Sequence, residues 1–193
     1  FVANLLYDHD LLPQVNRVTC RQFPMAAVLT CSDCRVPPEL LFDQALGDLQ
    51  SVRVSGNVLS EDVLGSLEHA CALGGSKLVV VLGHSGCRAV GSACAHLEVG
   101  NLTPLLSKIQ PSVRAERAKL DGAAEDEAFV DAVASRNAWR QMQQLLDRSP
   151  LLQDLFDAGR IGFAAAMFNG DTGVVEFIET MLPEQSASGV VLA

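Results

Sequence analysis

Residues 78–82 read LVVVL, five apolar side chains with no polar one among them. A strand with one wet face alternates apolar and polar residues, so an unbroken run of this kind demands cover on both faces. Residues 25–30 (MAAVLT) and 161–168 read the same way, and 52–54 is a shorter strand. Helical segments lie between them. Ser60 caps a helix over 61–73 that Gly74-Gly75 stops. A second helix is expected over 87–99, with Gly100 beyond its end. Thr103-Pro104 opens a third over 104–110. The longest, 125–148, starts with acids and ends on Arg148, which suits the helix dipole. Ser149-Pro150 begins a short one stopped by Gly159. The turn Asn169-Gly170-Asp171-Thr172-Gly173 then sends 174–178 back as a hairpin partner. Alternation of this kind defines an α/β fold: a parallel sheet with helices on both faces and one antiparallel edge strand.

The 193 residues, 49% of them hydrophobic, suit a single domain over 1–193. Residues 1–16 are expected to form a helical arm, with Phe1, Val2, Leu5, Leu6 and Leu12 at roughly helical spacing before Pro13. Residues 183–193 read as an irregular tail. The net charge of −9 argues against electrostatic binding of nucleic acid. No apolar run approaches the about 18 residues needed to span a bilayer, and no secretory segment is recognisable. The expected location is cytoplasmic. The start at Phe1 rather than Met gives the expectation of a trimmed chain, or of a piece of something longer such as an anion transporter. A mean hydropathy of +0.23 points to apolar surface covered by a partner subunit.

Six cysteines without a secretory segment favour reduced thiols and metal binding over disulfides. Two motifs gather them. Cys31-Ser32-Asp33-Cys34-Arg35 follows the strand at 25–30, and His84-Ser85-Gly86-Cys87 follows the strand at 78–82. Ligands in open α/β sheets bind outside the carboxyl ends of strands. If the two strands are neighbours, the motifs face one crevice. His84 and Cys87, three residues apart, can aim at one ion, and Cys31 completes a Cys₂His set of the kind zinc prefers. Three protein ligands leave a fourth position for water or substrate. Asp33 is placed to orient that water, and Arg35 to hold Asp33 in an ion pair. Were the pair to break, Asp33 could itself become the fourth ligand. Three other readings stay open: a closed Cys₃His structural site that includes Cys34, a Cys31/Cys34 redox pair, and cysteines that are simply buried. A Cys31–Cys34 disulfide would remove a metal ligand under oxidation, whereas Cys34 as a buried thiol would merely fill the place of a small polar residue such as serine.

These motifs resemble the β-class carbonic anhydrases, whose signature is C-x-D-x-R followed by H-x-x-C. Arg35-Val36, Pro38-Glu39, Gly47-Asp48-Leu49, Gly56-Asn57, Ser66-Leu67-Glu68 and Asp171-Thr172-Gly173 extend the resemblance over roughly residues 20–180. It implies a four-stranded parallel sheet with an added edge strand, Zn²⁺ on Cys31, His84 and Cys87, and Asp33 with Arg35 as the catalytic dyad. It also implies reversible hydration of CO₂ to bicarbonate by a zinc-bound hydroxide, and a homodimer or larger homo-oligomer with the N-terminal helix on its neighbour. Gln22 matches a substrate-binding glutamine of the plant-type members. The chain departs from the family at Cys34 and Arg88, and at Gln50 and His69, where plant-type members line the CO₂ pocket with aromatic residues. Polar groups there leave room for a related substrate such as carbonyl sulfide, or for a proton relay through His69. A non-catalytic regulatory or assembly domain with structural zinc is the alternative from another class.

Overall fold

The computed structural model describes residues 24–120 and 126–183. The arm at 1–16, Gln22, and the tail beyond residue 183 lie outside the described residues. Among the described residues five strands form one sheet: β1 (Ala26–Thr30), β2 (Leu49–Arg53), β3 (Leu78–His84), β4 (Gly162–Phe168) and β5 (Val175–Met181), in the order β2-β1-β3-β4-β5. The first three pairings are parallel and the β4–β5 hairpin is antiparallel. The described helices are α1 (Pro38–Leu41), α2 (Glu61–Ala72), α3 (Arg88–Cys94), α4 (Leu102–Leu106), α5 (Gln110–Arg117), α6 (Glu127–Arg148) and α7 (Pro150–Asp157), with a 3₁₀ turn at Ser55–Asn57.

The unbroken apolar strands behave as their composition demands. All of β1 is buried, and so is β3 after its first residue. Alternate positions feed two cores. Val28, Val80, Leu82, Ala164 and Ala166 pack with α3, α4, α5 and the first half of α6. Ala27, Leu29, Val79, Val81 and Phe163 pack with α2, the second half of α6 and α7. No helix among the described residues is long and apolar enough to cross a membrane.

Several expected boundaries move, each for a physical reason. Gly83 does not end β3. The strand continues to His84, because Gly83 gives α6 room: a Cβ there would lie 2.6 Å from the Met167 sulfur and 3.3 Å from the Ala134 carbonyl oxygen. The helix expected over 87–99 stops at Cys94, where His96 takes a left-handed conformation (φ 52°) and turns the chain back. The helix expected over 104–110 is two helices. Leu102–Leu106 ends early, and Pro111 in the first turn of α5 begins another. Ser60 and Ser149 do cap α2 and α7, accepting from Val63 N–H and Leu152 N–H. Asp126 caps α6 and accepts from Phe129 N–H. Glu116 on α5 ties that helix to α6 through an ion pair with Arg136, and pairs locally with Lys119 (2.7 Å) just beyond the end of α5.

Candidate metal centre

β1 and β3 are neighbours, with Thr30 opposite Leu82. Thr30 Oγ1 donates to the Leu82 carbonyl at 3.0 Å and locks the two carboxyl ends together. Cys31 leaves the end of β1, His84 is the last residue of β3, and Cys87 immediately precedes α3. Their ligand atoms all lie within 4.8 Å of one another, and all three residues are buried. The two sulfurs are 3.9 Å apart. Cys34 is exposed, carries a free thiol and stays outside this group. That removes the geometric basis for a Cys₃His site, and Cys34 is not a buried substitute for serine.

The donor set fits a cation. His84 Nδ1 lies 2.9 Å from the Ser85 carbonyl oxygen, which can only accept, so the ring proton sits on Nδ1. Nε2 therefore presents a lone pair, and it is buried without a hydrogen-bond partner. Orphaned buried acceptors are costly, and a metal ion relieves this one. The thiols tell the same story. The Cys87 thiol donates toward Cys31, and the Gly56 N–H (3.3 Å) adds to it; together they hold the Cys31 thiol well below its ordinary range against the cost of burial. The resulting thiolate, with burial, pushes Cys87 up. Two thiolates this close need positive charge beside them, which a divalent cation supplies.

The backbone around Cys31 is held from two sides. Gly56 has φ +68°, and a Cβ on it would meet Ile109 Cδ1 at 2.7 Å. Its carbonyl accepts from Asn137 Nδ2 at 2.9 Å, and Gln141 bonds both Asn137 (3.2 Å) and Leu59 N–H (3.0 Å). On the other side Arg53, opposite Thr30 in β2, donates from Nε to the Cys31 carbonyl (3.1 Å) and from a second nitrogen to the Asp33 carbonyl. None of Arg53, Asn137 and Gln141 stands out in sequence. The one available signal is that polar residues inside an otherwise core-facing helix, as at 137 and 141, must find buried partners.

Asp33 and Arg35 form a bidentate pair. Arg35 Nε reaches Oδ1 at 3.0 Å and Nη2 reaches Oδ2 at 2.9 Å, while the Arg35 N–H also donates to Oδ1 at 3.0 Å. The guanidinium holds the Asp33 carboxyl well below the usual carboxylate range, against a smaller effect of burial. Nη2 also donates to the Gly86 carbonyl at 3.2 Å, tying the first motif to the second.

Gln50 and His69 are elsewhere. Gln50 pairs with Ala27, four residues before Cys31, which is about 13 Å back along the strand. Its side chain donates to the Ser66 carbonyl on α2, and His69 is exposed on that helix. Within one chain the structure does not bring these two side chains to the Cys31–His84–Cys87 group.

An open parallel sheet with a thiol pair and an imidazole at the carboxyl ends of two adjacent strands has the donor set of a metal centre. The sequence profile of the carbonic anhydrase family matches residues 26–175, which include the whole arrangement. The chain is 33% identical over 157 residues to carbonic anhydrase 2 of Mycobacterium tuberculosis, covering 79% of this chain and 73% of that protein. It is 30% identical over 189 residues to a carbonic anhydrase of Pseudomonas aeruginosa, covering 91% and 84%. The structure of a Coccomyxa β-carbonic anhydrase in complex with acetazolamide superposes with TM-score 0.79 at 25% identity, covering 86% of this chain and 78% of that one. A tetrameric β-carbonic anhydrase of Sordaria macrospora shares the fold at TM-score 0.77 and 20% identity, over 86% and 84% of the two chains. This chain belongs to the β-class carbonic anhydrases.

Proposed function

We propose that the chain catalyses the reversible hydration of CO₂ to bicarbonate at a zinc centre held by Cys31 Sγ, His84 Nε2 and Cys87 Sγ. The observation that carries this reading is the buried, partnerless Nε2 facing two sulfurs, with an ionised carboxylate two residues from one of them. Zinc, when bound, is a Lewis acid that makes hydroxide available from water near neutral pH. Asp33 accepts a hydrogen bond and so orients the attacking oxygen toward CO₂. Arg35 occupies both Asp33 oxygens and keeps the carboxylate from turning to the metal. Its second anchor on the Gly86 carbonyl fixes the guanidinium relative to His84 and Cys87. Were the pair to open, the freed Asp33 carboxylate would be a further oxygen donor available to an ion held by Cys31, His84 and Cys87.

Gln50 and His69 enter this reading only through a second copy of the chain. A homodimer or larger homo-oligomer is therefore part of the proposal. Exposed apolar side chains, Phe177 at 55% and Leu182 at 68%, support such an assembly. The single-domain reading of 1–193 and the cytoplasmic location stand as proposals too. The test is stopped-flow CO₂ hydration by the zinc-loaded chain, run beside carbonyl sulfide hydrolysis. Faster turnover of CO₂ is expected. Absence of CO₂ hydration, or preference for carbonyl sulfide, overturns the assignment.

A further inference from the structure

The loop from His84 to Cys87 must hold two ligand atoms in register, yet its middle residue, Gly86, sits in the left-handed region at φ +59°. A short glycine loop does not keep such a conformation without anchors. Ser85 supplies two of them. Its N–H donates to the Phe168 carbonyl at 2.9 Å, and its hydroxyl accepts from Gly170 N–H at 2.9 Å. Both tie the loop to the β4–β5 turn. The third anchor comes from the opposite side and acts on Gly86 itself. Asp131 Oδ1 accepts the Gly86 N–H at 2.8 Å, across 45 residues of sequence. Asp131 stands near the start of α6, between Phe129 and Val133, which are both in the core, so the carboxylate projects from a fixed platform. Gly86 is thus gripped at both ends: its N–H by Asp131 and its carbonyl by Arg35.

The geometry points to Asp131 as a positioning residue that fixes the Gly86 backbone, and with it both the His84–Cys87 ligand spacing and the second anchor of Arg35. Asp131 is not among the atoms that converge on the site. It acts through the peptide. Loss of its carboxylate leaves the Gly86 N–H without its acceptor and lets the loop rotate about the glycine. The ligand loop then exchanges between geometries, and a bound ion leaves faster. This inference rests on the zinc reading above and extends it to α6.

The experiment measures zinc transfer from the loaded chain to a chromophoric chelator, with thermal melting recorded beside it, for wild type, Asp131→Asn and Asp131→Ala. Outer partners of metal ligands are worth about 10–100-fold in affinity or activity, so Asp131→Ala should release zinc faster by that order. Asp131→Asn keeps an acceptor oxygen at the same reach and should release zinc at the wild-type rate, a rescue that general destabilisation would not produce. If the alanine chain does not fold, Asp131→Ser, too short to reach Gly86, carries the same expectation. Wild-type release from a folded alanine or serine variant overturns the inference and leaves the zinc reading intact, as does equal acceleration in Asp131→Asn. A wild-type chain that takes up no zinc overturns both.

Discussion

Asp33 and Glu116 are both carboxylates bonded to arginine, and they do opposite work. Asp33 lies in a loop at the strand ends, and Arg35, two residues on, has a side chain 56% exposed. The pair is local, and its one long-range bond, from Arg35 to the Gly86 carbonyl, joins two loops of the site rather than two helices. Glu116 has a side chain only 10% exposed and joins two helices through Arg136, with Lys119 one turn away on its own side. Burial pushes the Glu116 acid up, but its bonds to Lys119 and Arg136 outweigh that and hold it below the ordinary range. A depressed acid therefore does not mark a site by itself. What separates the two is the neighbourhood: Asp33 is two residues from a thiol that faces an imidazole and a second thiol, whereas Glu116 faces only its cations.

The largest expected effect follows from that contrast. Asp33→Asn should keep its zinc and its melting temperature and lose about 100-fold or more in CO₂ hydration, the usual scale for removing a positioned proton-handling group. Stopped-flow rates and elemental analysis on one preparation check it, and a wild-type rate would erase the distinction.

Glu116→Gln should do the reverse. It should leave the rate unchanged and cost about 1–3 kcal/mol in denaturant unfolding, because Arg136 loses a buried partner. The Lys119 end, 58% exposed, contributes little of this. The pH dependence has a definite sign. Glu116 has a lower pKa folded than unfolded, so its stabilisation is complete above the unfolded carboxylate range and fades as pH falls toward the folded value. Unfolding free energy should therefore fall less steeply with acid in Glu116→Gln than in wild type. Parallel slopes would show that the pair contributes nothing.

The smallest expected effect is at Cys34. Because its thiol is exposed and outside the ligand group, Cys34→Ser should leave both zinc content and rate unchanged. Loss of metal in that variant would restore the four-ligand reading.

The strands and the ligand motifs were legible because their signals are short-range: a run of apolar residues, or chemically unusual side chains at a strand end. Ser60 and Ser149 were legible for the same reason, since a cap bonds within its own turn. The supports were not. Arg53, Asn137 and Asp131 act on residues between 20 and 81 positions away, and their partners are backbone groups, which all residues possess. Gly83 misled because a glycine that stops a strand and one that admits a helix look alike in sequence. Pro111 was missed because a helix was expected to run up to residue 110, and that reading ended where α5 in fact begins. Gln50 and His69 were assigned to a pocket by resemblance alone, and register with Ala27 puts Gln50 well back from the strand ends.

The account turns on three side chains holding one ion, and zinc content per chain by elemental analysis tests it most directly. Purified wild type should carry one zinc per chain, and Cys31→Ala, His84→Ala and Cys87→Ala should each lose it while the remaining core keeps them folded. Full zinc in any one of the three variants, or none in the wild type, would contradict the site as described.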